Sequence, residues 1–231
     1  MASQLRTHTS SLPPDWALQP AKAAHRKVWD LLGAPLRMVV LPDEASERIG
    51  LTSLRAERMA AVLPELKGRV LDVGAGDNVL LKLYRRRAAG LSAAKLADAE
   101  ASVGVDVIDW GGGCRIVRSS AELPFPAASF DTVAFVACLN HIPERREALR
   151  EARRVLRPGG RVVATMIGRF IGDIGHRLWW YSEDKHRDVA DGEVMGMNRD
   201  EVVGLLREAG FGRVRTRGFV YGLNTLYVAE G

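Results

Sequence analysis

The feature that most constrains the fold is an alternation of short apolar runs with helical patterns, which begins near residue 68. The runs are rich in β-branched residues and are bounded by Gly, Pro or charged side chains, so each predicts a strand. Such an alternation is typical of an α/β fold with a doubly wound, mostly parallel sheet. We expect seven strands, at residues 69–73, 103–107, 115–117, 130–136, 161–167, 213–220 and 225–229.

The region before the first strand has a different pattern. Residues 21–32 and 43–63 predict two helices, and the second carries a rough helical stripe of apolar side chains. We therefore expect residues 1–64 to form a tail and a helical cap, and residues 65–231 to form the core. A length of 231 residues suits one such domain better than two independent cores.

The loop after the first predicted strand combines two glycines with an acid. Gly74 and Gly76 allow backbone to approach a ligand closely, and a predicted helix with free N–H groups follows. Asp72 precedes this loop and would repel a pyrophosphate, which favours a cationic or amine-bearing ligand. The dinucleotide pattern GxGxxG is incomplete because Val79 stands at the third glycine position.

Asp106 ends the second predicted strand, where an acid can accept hydrogen bonds from both hydroxyls of an adenosine ribose. Asp109 is a rival for that role. Asp is also common in turns and helix caps, which gives either residue a purely structural alternative.

Composition limits the partners and the compartment. No apolar run is long enough to cross a bilayer, and the first twenty residues lack a signal-peptide core, so we expect a cytoplasmic protein without a membrane partner. The two cysteines, Cys114 and Cys138, lie in apolar surroundings and predict buried, reduced thiols. The net charge of +5 comes mostly from arginines beside acids on predicted helices, which argues against a nucleic-acid partner. The oligomeric state stays open, a homodimer included.

Four segments in order resemble the class I S-adenosylmethionine-dependent methyltransferases, and especially the group that includes the ubiquinone and menaquinone biosynthesis methyltransferases. The resemblance covers residues 68–167 and, more loosely, 198–230. The segments are VLDVGAG at 70–76, GVD at 104–106, AELPF at 121–125 with SFD at 129–131, and ARRVLRPGG at 152–160.

The resemblance implies S-adenosyl-L-methionine as cofactor and gives roles to individual residues. Asp72 would meet the methionine amino group, Asp106 the ribose hydroxyls, and the segment from Ser120 to Glu122 the adenine edge. Residues 138–141 would line the floor near the methyl group. The cofactor-binding candidates are Asp72, Gly74, Ala75, Gly76, Asp106, Val107, Ser120, Ala121, Glu122 and Cys138.

Three positions depart from the family pattern. Ser119 stands where the family often has an acid that accepts from the adenine amino group. Asp77 and Asn78 stand where a small hydroxyl residue and a glycine are common.

Methyl transfer needs an oriented nucleophile and a dry site more than a dedicated catalytic group. His141 follows the fourth predicted strand and is our candidate for a general base, because imidazole titrates near neutral pH. The alternative is that His141 only braces the next helix. Asn140 beside it is a candidate for acceptor binding.

The segment 168–197, after the fifth predicted strand, is rich in aromatic residues and predicts either a lid over the acceptor or a helix packed on the sheet. Its wide histidine spacing argues against a metal site. Its candidate acceptor-binding residues are His176, Trp179, Trp180 and Tyr181.

The expected function is methyl transfer to an O, N or C atom of a small, ring-bearing molecule. An RNA or protein methyltransferase and a catalytically silent binding module of the same fold are the alternatives. The segment CLNH at 138–141 lacks the Asn/Asp-Pro-Pro-Tyr type of signature of enzymes that methylate nucleobase amines. The incomplete glycine pattern argues against a nicotinamide oxidoreductase.

Overall fold

The computed structural model describes residues 11–19, 21–169 and 192–231. The strands of its sheet are β1 (Val70–Val73), β2 (Val103–Asp106), β3 (Arg115–Ile116), β4 (Phe130–Val136), β5 (Leu156–Ile167), β6 (Arg213–Phe219) and β7 (Asn224–Glu230). Their order in the sheet is β3-β2-β1-β4-β5-β7-β6. Only β7 runs antiparallel to its neighbours. The prediction of a seven-stranded, mostly parallel sheet is confirmed.

The helices cover both faces of this sheet. They are α1 (Ala24–Leu32), α2 (Asp43–Arg48), α3 (Leu54–Val62), α4 (Val79–Ala89), α5 (Ala93–Glu100), α6 (Arg145–Val155) and α7 (Arg199–Glu208). Leu149 of α6 and Leu206 of α7 pack in one apolar cluster, and Met59 of α3 and Leu80 of α4 pack in a second. Strands covered on both faces are buried along most of their length, which explains why β1 and β4 are mostly apolar, with Asp72 a buried exception in β1.

The predicted single helix at 43–63 is wrong. Gly50 adopts a left-handed backbone with φ of 76°, which ends α2. A second start signal follows, since the Ser53 hydroxyl accepts the Ala56 N–H at 3.0 Å and caps α3. The region is therefore two helices with a buried connection at Leu51 and Thr52.

The fifth strand begins five residues earlier than the sequence predicts. Leu156 already pairs with Phe130, and the register then shifts so that Arg161 pairs with Thr132. Gly159, with φ of 72°, lies inside the shifted segment and provides the left-handed turn that it needs. The motif RPGG at 157–160 therefore lies inside β5 and bends it, whereas the sequence analysis placed this motif before the strand.

The order of the strands fixes where a ligand can enter. β1 lies between β2 and β4, with Asp72 opposite Gly104 on one side and Ala134 on the other. Chain connections diverge from this pair, so a crevice opens beyond the carboxyl ends of β1 and β4. No helix in the described ranges is both long enough and apolar enough to cross a membrane.

Candidate functional site

The glycine loop leaves β1 and turns immediately over β2. Gly74 and Gly76 both have a left-handed backbone, with φ of 70° and 54°. The N–H groups of Gly74 and Ala75 both donate to the carbonyl of Val105, at 2.9 and 3.0 Å. Since a left-handed φ strains residues with a Cβ, glycine suits both positions of this turn.

Cys138, just after β4, lies against the same loop. A Cβ added to Gly74 would lie 2.7 Å from the Cys138 Cβ. The loop and the segment after β4 therefore pack so closely that only glycine fits at position 74. The Cys138 Sγ donates to the Val73 carbonyl at 2.9 Å. Burial, and then the acids Asp72 and Asp106, raise the pKa of this thiol well above its usual value. Cys138 therefore remains a protonated donor.

Both cysteines are free, as the sequence predicts. The prediction that they are buried is wrong for Cys114, which stays partly exposed in the loop before β3. Cys138 keeps some exposure as a residue, but its thiol is buried beside the crevice.

Asp106 connects β2 to the glycine loop. Its Oδ2 accepts the Gly76 N–H at 2.9 Å, and its Oδ1 accepts the Ile108 N–H at 3.1 Å. Each carboxylate oxygen can accept more than one hydrogen bond, so both can still receive a ligand hydroxyl. Val107, next in the chain, is exposed, whereas the rival Asp109 accepts the N–H of Gly111 in a local turn.

Asp72 is the most perturbed acid of the site. Its side chain is buried, with the residue only 2% exposed, and its Oδ1 has no hydrogen-bond partner among the described residues. Burial raises the pKa of Asp72 to about 8, and the neighbouring carboxylates of Asp106 and Asp77 contribute in the same direction. A buried acid without a partner in a crevice indicates a site for a cationic group.

Asp72 borders a cavity of about 140 Å³. One wall consists of the acid and the glycine loop, through Asp72, Gly74 and Ala75. Arg55 and Arg58 of α3 also line this cavity. A cavity lined by both carboxyl and guanidinium groups suits a zwitterion that carries both an ammonium and a carboxylate.

The two arginines are functional candidates that the sequence analysis missed. Arg55 is largely buried, and its Nε has no hydrogen-bond partner among the described residues, although its Nη2 lies 3.5 Å from Glu47. The only sequence signal was a pair of arginines three residues apart, inside a segment interpreted as one long amphipathic helix.

The candidates for the adenine edge lie in the loop that follows β3. The Ser119 hydroxyl accepts the N–H of Ala121 at 3.0 Å and so shapes this loop. Ser120 and Ala121 are half-buried, whereas Glu122 is exposed. These residues emerge from the same end of the sheet as Asp106.

His141 belongs to a hydrogen-bonded group beyond β4. Its Nδ1 lies 3.1 Å from the Oε2 of Glu193, whose side chain is only 3% exposed. The Asn140 Nδ2 donates to the Val194 carbonyl at 3.1 Å and lies 3.0 Å from the His141 Nε2. An amide nitrogen can only donate, so Nε2 accepts and the ring proton sits on Nδ1, facing the carboxylate.

Glu193 is a third residue that the sequence analysis missed, because fifty-two positions separate it from His141. The candidates His176, Trp179, Trp180 and Tyr181, and the proposed lid around them, lie outside the described residues. In the part of the chain that the structure describes, no cluster of His, Cys, Asp and Glu is arranged to hold a metal ion.

Comparisons with known proteins agree with this geometry. A protein family described as "Methyltransferase domain" matches residues 71–164. A 27-O-demethylrifamycin SV methyltransferase from Amycolatopsis mediterranei is 30% identical over 80% of this chain and 65% of its own length. A ubiquinone/menaquinone biosynthesis C-methyltransferase UbiE from Bordetella parapertussis is 29% identical over 73% of this chain and 72% of its own length.

A solved SAM-dependent methyltransferase from Thermotoga maritima shares the fold. Its TM-score is 0.56 at 18% identity, over 89% of this chain and 97% of that one. The sheet order, the glycine loop after β1 and the acid at the end of β2 define a Rossmann-like methyltransferase fold. The chain belongs to the class I S-adenosylmethionine-dependent methyltransferases, and S-adenosyl-L-methionine is its cofactor.

Proposed function

We propose that this enzyme methylates a hydroxyl oxygen of a small, ring-bearing acceptor. The observation that carries the cofactor half of the proposal is the cavity lined by Asp72 together with Arg55 and Arg58. Its charges match the amino and carboxylate groups of a methionine moiety. The buried and unpartnered Oδ1 of Asp72 supports the same orientation, because an ammonium group would satisfy it.

The remaining cofactor contacts follow from the neighbouring loops. Asp106 would accept the ribose hydroxyls beside Val107, while Gly74, Ala75 and Gly76 let the backbone pass close by. The loop from Ser120 to Glu122 would border the adenine, and Cys138 would close the floor through its contact with Gly74.

The acceptor half of the proposal rests on His141. When bound, S-adenosylmethionine supplies an electrophilic methyl group on a sulfonium, so the protein must position a nucleophile and exclude water. The buried Glu193 faces Nδ1 and leaves the lone pair on Nε2, the atom that takes a proton in a general base. Asn140 would hold this ring until an acceptor hydroxyl takes its place at Nε2.

A small-molecule acceptor is supported by the named relatives of this chain. One relative is by name a methyltransferase of 27-O-demethylrifamycin SV, and another is a C-methyltransferase of ubiquinone/menaquinone biosynthesis. A hydroxyl must lose its proton during transfer, and the lone pair on the His141 Nε2 can take that proton, which suits an oxygen acceptor. The predicted aromatic side chains of segment 168–197 favour a ring-bearing acceptor.

Calorimetric titration with S-adenosylhomocysteine tests the cofactor site. We expect saturable binding to the wild-type protein that weakens at least tenfold in Asp106→Ala. Asp109→Ala is the matched control, since Asp109 only closes a local turn, and it should bind like the wild type. Absent binding to a folded wild-type sample would overturn the proposed site.

Labelled methyl transfer tests the acceptor. Ring-bearing phenols and alcohols, the corresponding amines, total RNA and a protein mixture receive the label from S-adenosylmethionine in parallel. Transfer to hydroxyl compounds that falls in His141→Ala, with unchanged S-adenosylhomocysteine binding, supports the proposal. Transfer confined to RNA or to protein would contradict it.

A further inference from the structure

An unusual share of the exposed apolar surface lies on the N-terminal cap. Of the eleven large apolar side chains that are exposed among the described residues, seven lie between residues 28 and 49, so they are concentrated in one short stretch of the chain. Leu32 is 71% exposed and Trp29 is 52% exposed. We call this set the apolar face: Val28, Trp29, Leu31, Leu32, Leu36, Val40 and Ile49.

The fully exposed charged side chains near the apolar face have one sign. Within residues 21–50, the charged side chains classed as exposed are Lys27 and Arg48, and His25 lies beside them on α1. None of the acids of this region is fully exposed. Asp30 is buried, where its carboxylate accepts from Thr52 and Lys22.

The acids of α2 are only partly exposed, and each accepts a hydrogen bond from a neighbouring residue. Asp43 accepts the N–H of Arg55, and Glu47 accepts the hydroxyl of Ser53. Glu44 accepts from the backbone and the hydroxyl of Ser11. The exposed surface of the cap therefore combines apolar side chains with a basic edge.

The apolar face is fixed rather than loosely attached. Arg37, at only 2% exposure, donates to the carbonyls of Asp30 and Thr52 and so ties α1 to the segment before α3. The Trp29 indole N–H donates to the Ile49 carbonyl at 3.3 Å and joins the two ends of the face. Such a prepared surface loses little conformational entropy when it docks.

We propose that the apolar face docks on an anionic phospholipid surface, with Trp29 and Leu32 entering the headgroup boundary and Lys27 and Arg48 meeting lipid phosphates. Exposed Trp and Leu side chains beside basic residues are the composition of helices that lie in a membrane interface. A second copy of the chain is a poorer occupant, because a two-fold contact would bring like charges together.

This proposal departs from the sequence-based expectation of no membrane partner. That expectation rested on the absence of a long apolar run, which a spanning helix requires and an interfacial face does not. Neither the cofactor site nor the choice of acceptor enters the argument, so the docking proposal can fail without affecting the proposed function.

Flotation of the full chain with lipid vesicles tests the proposal. We expect binding to vesicles of phosphatidylglycerol and phosphatidylcholine, weaker binding to pure phosphatidylcholine, and a loss at high salt. The double variant Trp29→Ser/Leu32→Ser should bind at least about tenfold more weakly. Lys27→Glu/Arg48→Glu should lose the preference for the anionic vesicles.

The matched control is Leu91→Ser/Ile116→Ser, which removes two exposed apolar side chains far along the chain from the apolar face. It should bind vesicles like the wild type, and circular dichroism and the melting temperature show that every variant is folded. Absent vesicle binding by the wild type, or equal binding by Trp29→Ser/Leu32→Ser, overturns the proposal. A dimer in analytical ultracentrifugation that the same double variant abolishes would also overturn it, in favour of a second copy.

Discussion

Gly74 lies so close to Cys138 that an added Cβ would be 2.7 Å from the Cys138 Cβ and 2.9 Å from its Sγ. One residue begins the glycine loop after β1, and the other begins the segment after β4 that leads to His141. The contact therefore joins the candidate cofactor loop to the candidate acceptor side of the crevice.

Alanine at Gly74 should destabilise the protein more than alanine at Gly76. Both positions have a left-handed backbone, which costs a residue with a Cβ about 1–2 kcal/mol. Only Gly74 also meets a close neighbour, which adds about 1–3 kcal/mol of overpacking, whereas nothing lies within 4 Å of a Cβ at Gly76. Urea unfolding without ligand measures the free energy of unfolding of both variants. Equal losses of stability in the two variants would show that Cys138 can move away from the added Cβ at no cost.

Ligand affinity should rise with pH because of Asp72. Its pKa of about 8 means that the acid is mostly protonated at pH 6, so pairing with an ammonium group requires loss of a proton. The affinity for S-adenosylhomocysteine should then increase by up to about tenfold per pH unit below pH 8 and level off above it. Calorimetry between pH 6 and 8.5 measures this slope, and Asp72→Asn should bind weakly with a flat profile. A steep profile retained in Asp72→Asn would assign the titration to another group.

The stability of the ligand-free protein should respond to Asp72 in the opposite direction. Its folded-state pKa lies above the value of about 3.9 expected in the unfolded chain. The stability that this group contributes is therefore fully present below pH 4 and is lost as pH rises through about 8. Urea unfolding of the wild type relative to Asp72→Asn should show that trend between pH 5 and 8. If the difference in the free energy of unfolding between the wild type and Asp72→Asn does not change with pH, the raised pKa of Asp72 is contradicted.

Some parts of the site were predictable from the sequence because they depend on local order. A buried parallel strand is mostly apolar and short, so β1 and the glycine loop that follows it at Gly74 could be recognised directly from the sequence. Asp106 could be placed because a strand end points its last residue toward the crevice. In both cases a short stretch of chain contains the whole signal.

Other parts depend on contacts between distant segments. Arg55 resembles any surface arginine until the break at Gly50 turns α3 toward the glycine loop. Glu193 meets His141 only after the chain has passed through β5, and nothing in its local sequence marks it as buried. Apolar periodicity does not show whether a helical segment is broken by a connection, as between α2 and α3. It also does not show which side chains meet across a crevice.

Glu193 should act as a positioning residue for His141. Glu193→Ala removes the acceptor of the Nδ1 proton, so the ring loses its tautomer and orientation, and kcat should fall on the order of a hundredfold. Glu193→Gln keeps an oxygen that can accept from Nδ1 and should retain more activity than the alanine variant. Steady-state kinetics on the acceptor measures kcat and KM, while S-adenosylhomocysteine affinity should stay unchanged. If the Glu193 variants lose S-adenosylhomocysteine affinity as strongly as they lose kcat, Glu193 has a structural role only.

The cap should depend strongly on Arg37. Its guanidinium donates to the Asp30 and Thr52 carbonyls, the Glu57 carboxylate and the Tyr221 hydroxyl, and so joins the cap to the turn between β6 and β7. Arg37→Ala leaves the Asp30 and Thr52 carbonyls without this donor, while Glu57 keeps its ion pair with Lys22, and should cost about 2–5 kcal/mol. Tyr221→Phe removes one contact of the same group and should cost about 0.5–1.5 kcal/mol. Urea unfolding measures both, and similar small losses would show that water replaces the guanidinium.

The packing of Asn78 on Gly104 provides a coupled test. Asn78 has a left-handed backbone with φ of 63°, and a Cβ at Gly104 would lie 2.6 Å from its Oδ1 and 2.9 Å from the Ala75 Cβ. Gly104→Ala alone should cost about 1–3 kcal/mol, since Asn78 is buried and has little room to move. Asn78→Gly should change stability little, because glycine adopts this backbone freely and the buried Oδ1 has no hydrogen-bond partner among the described residues.

The double variant should recover part of the loss from Gly104→Ala. Removal of the Asn78 side chain frees the nearer contact but leaves the Ala75 Cβ in place, so the recovery is incomplete. A double-mutant cycle in urea should therefore give a favourable coupling of about 0.5–2 kcal/mol between the two changes. Strictly additive losses would mean that Ala75, and not Asn78, limits the space at Gly104.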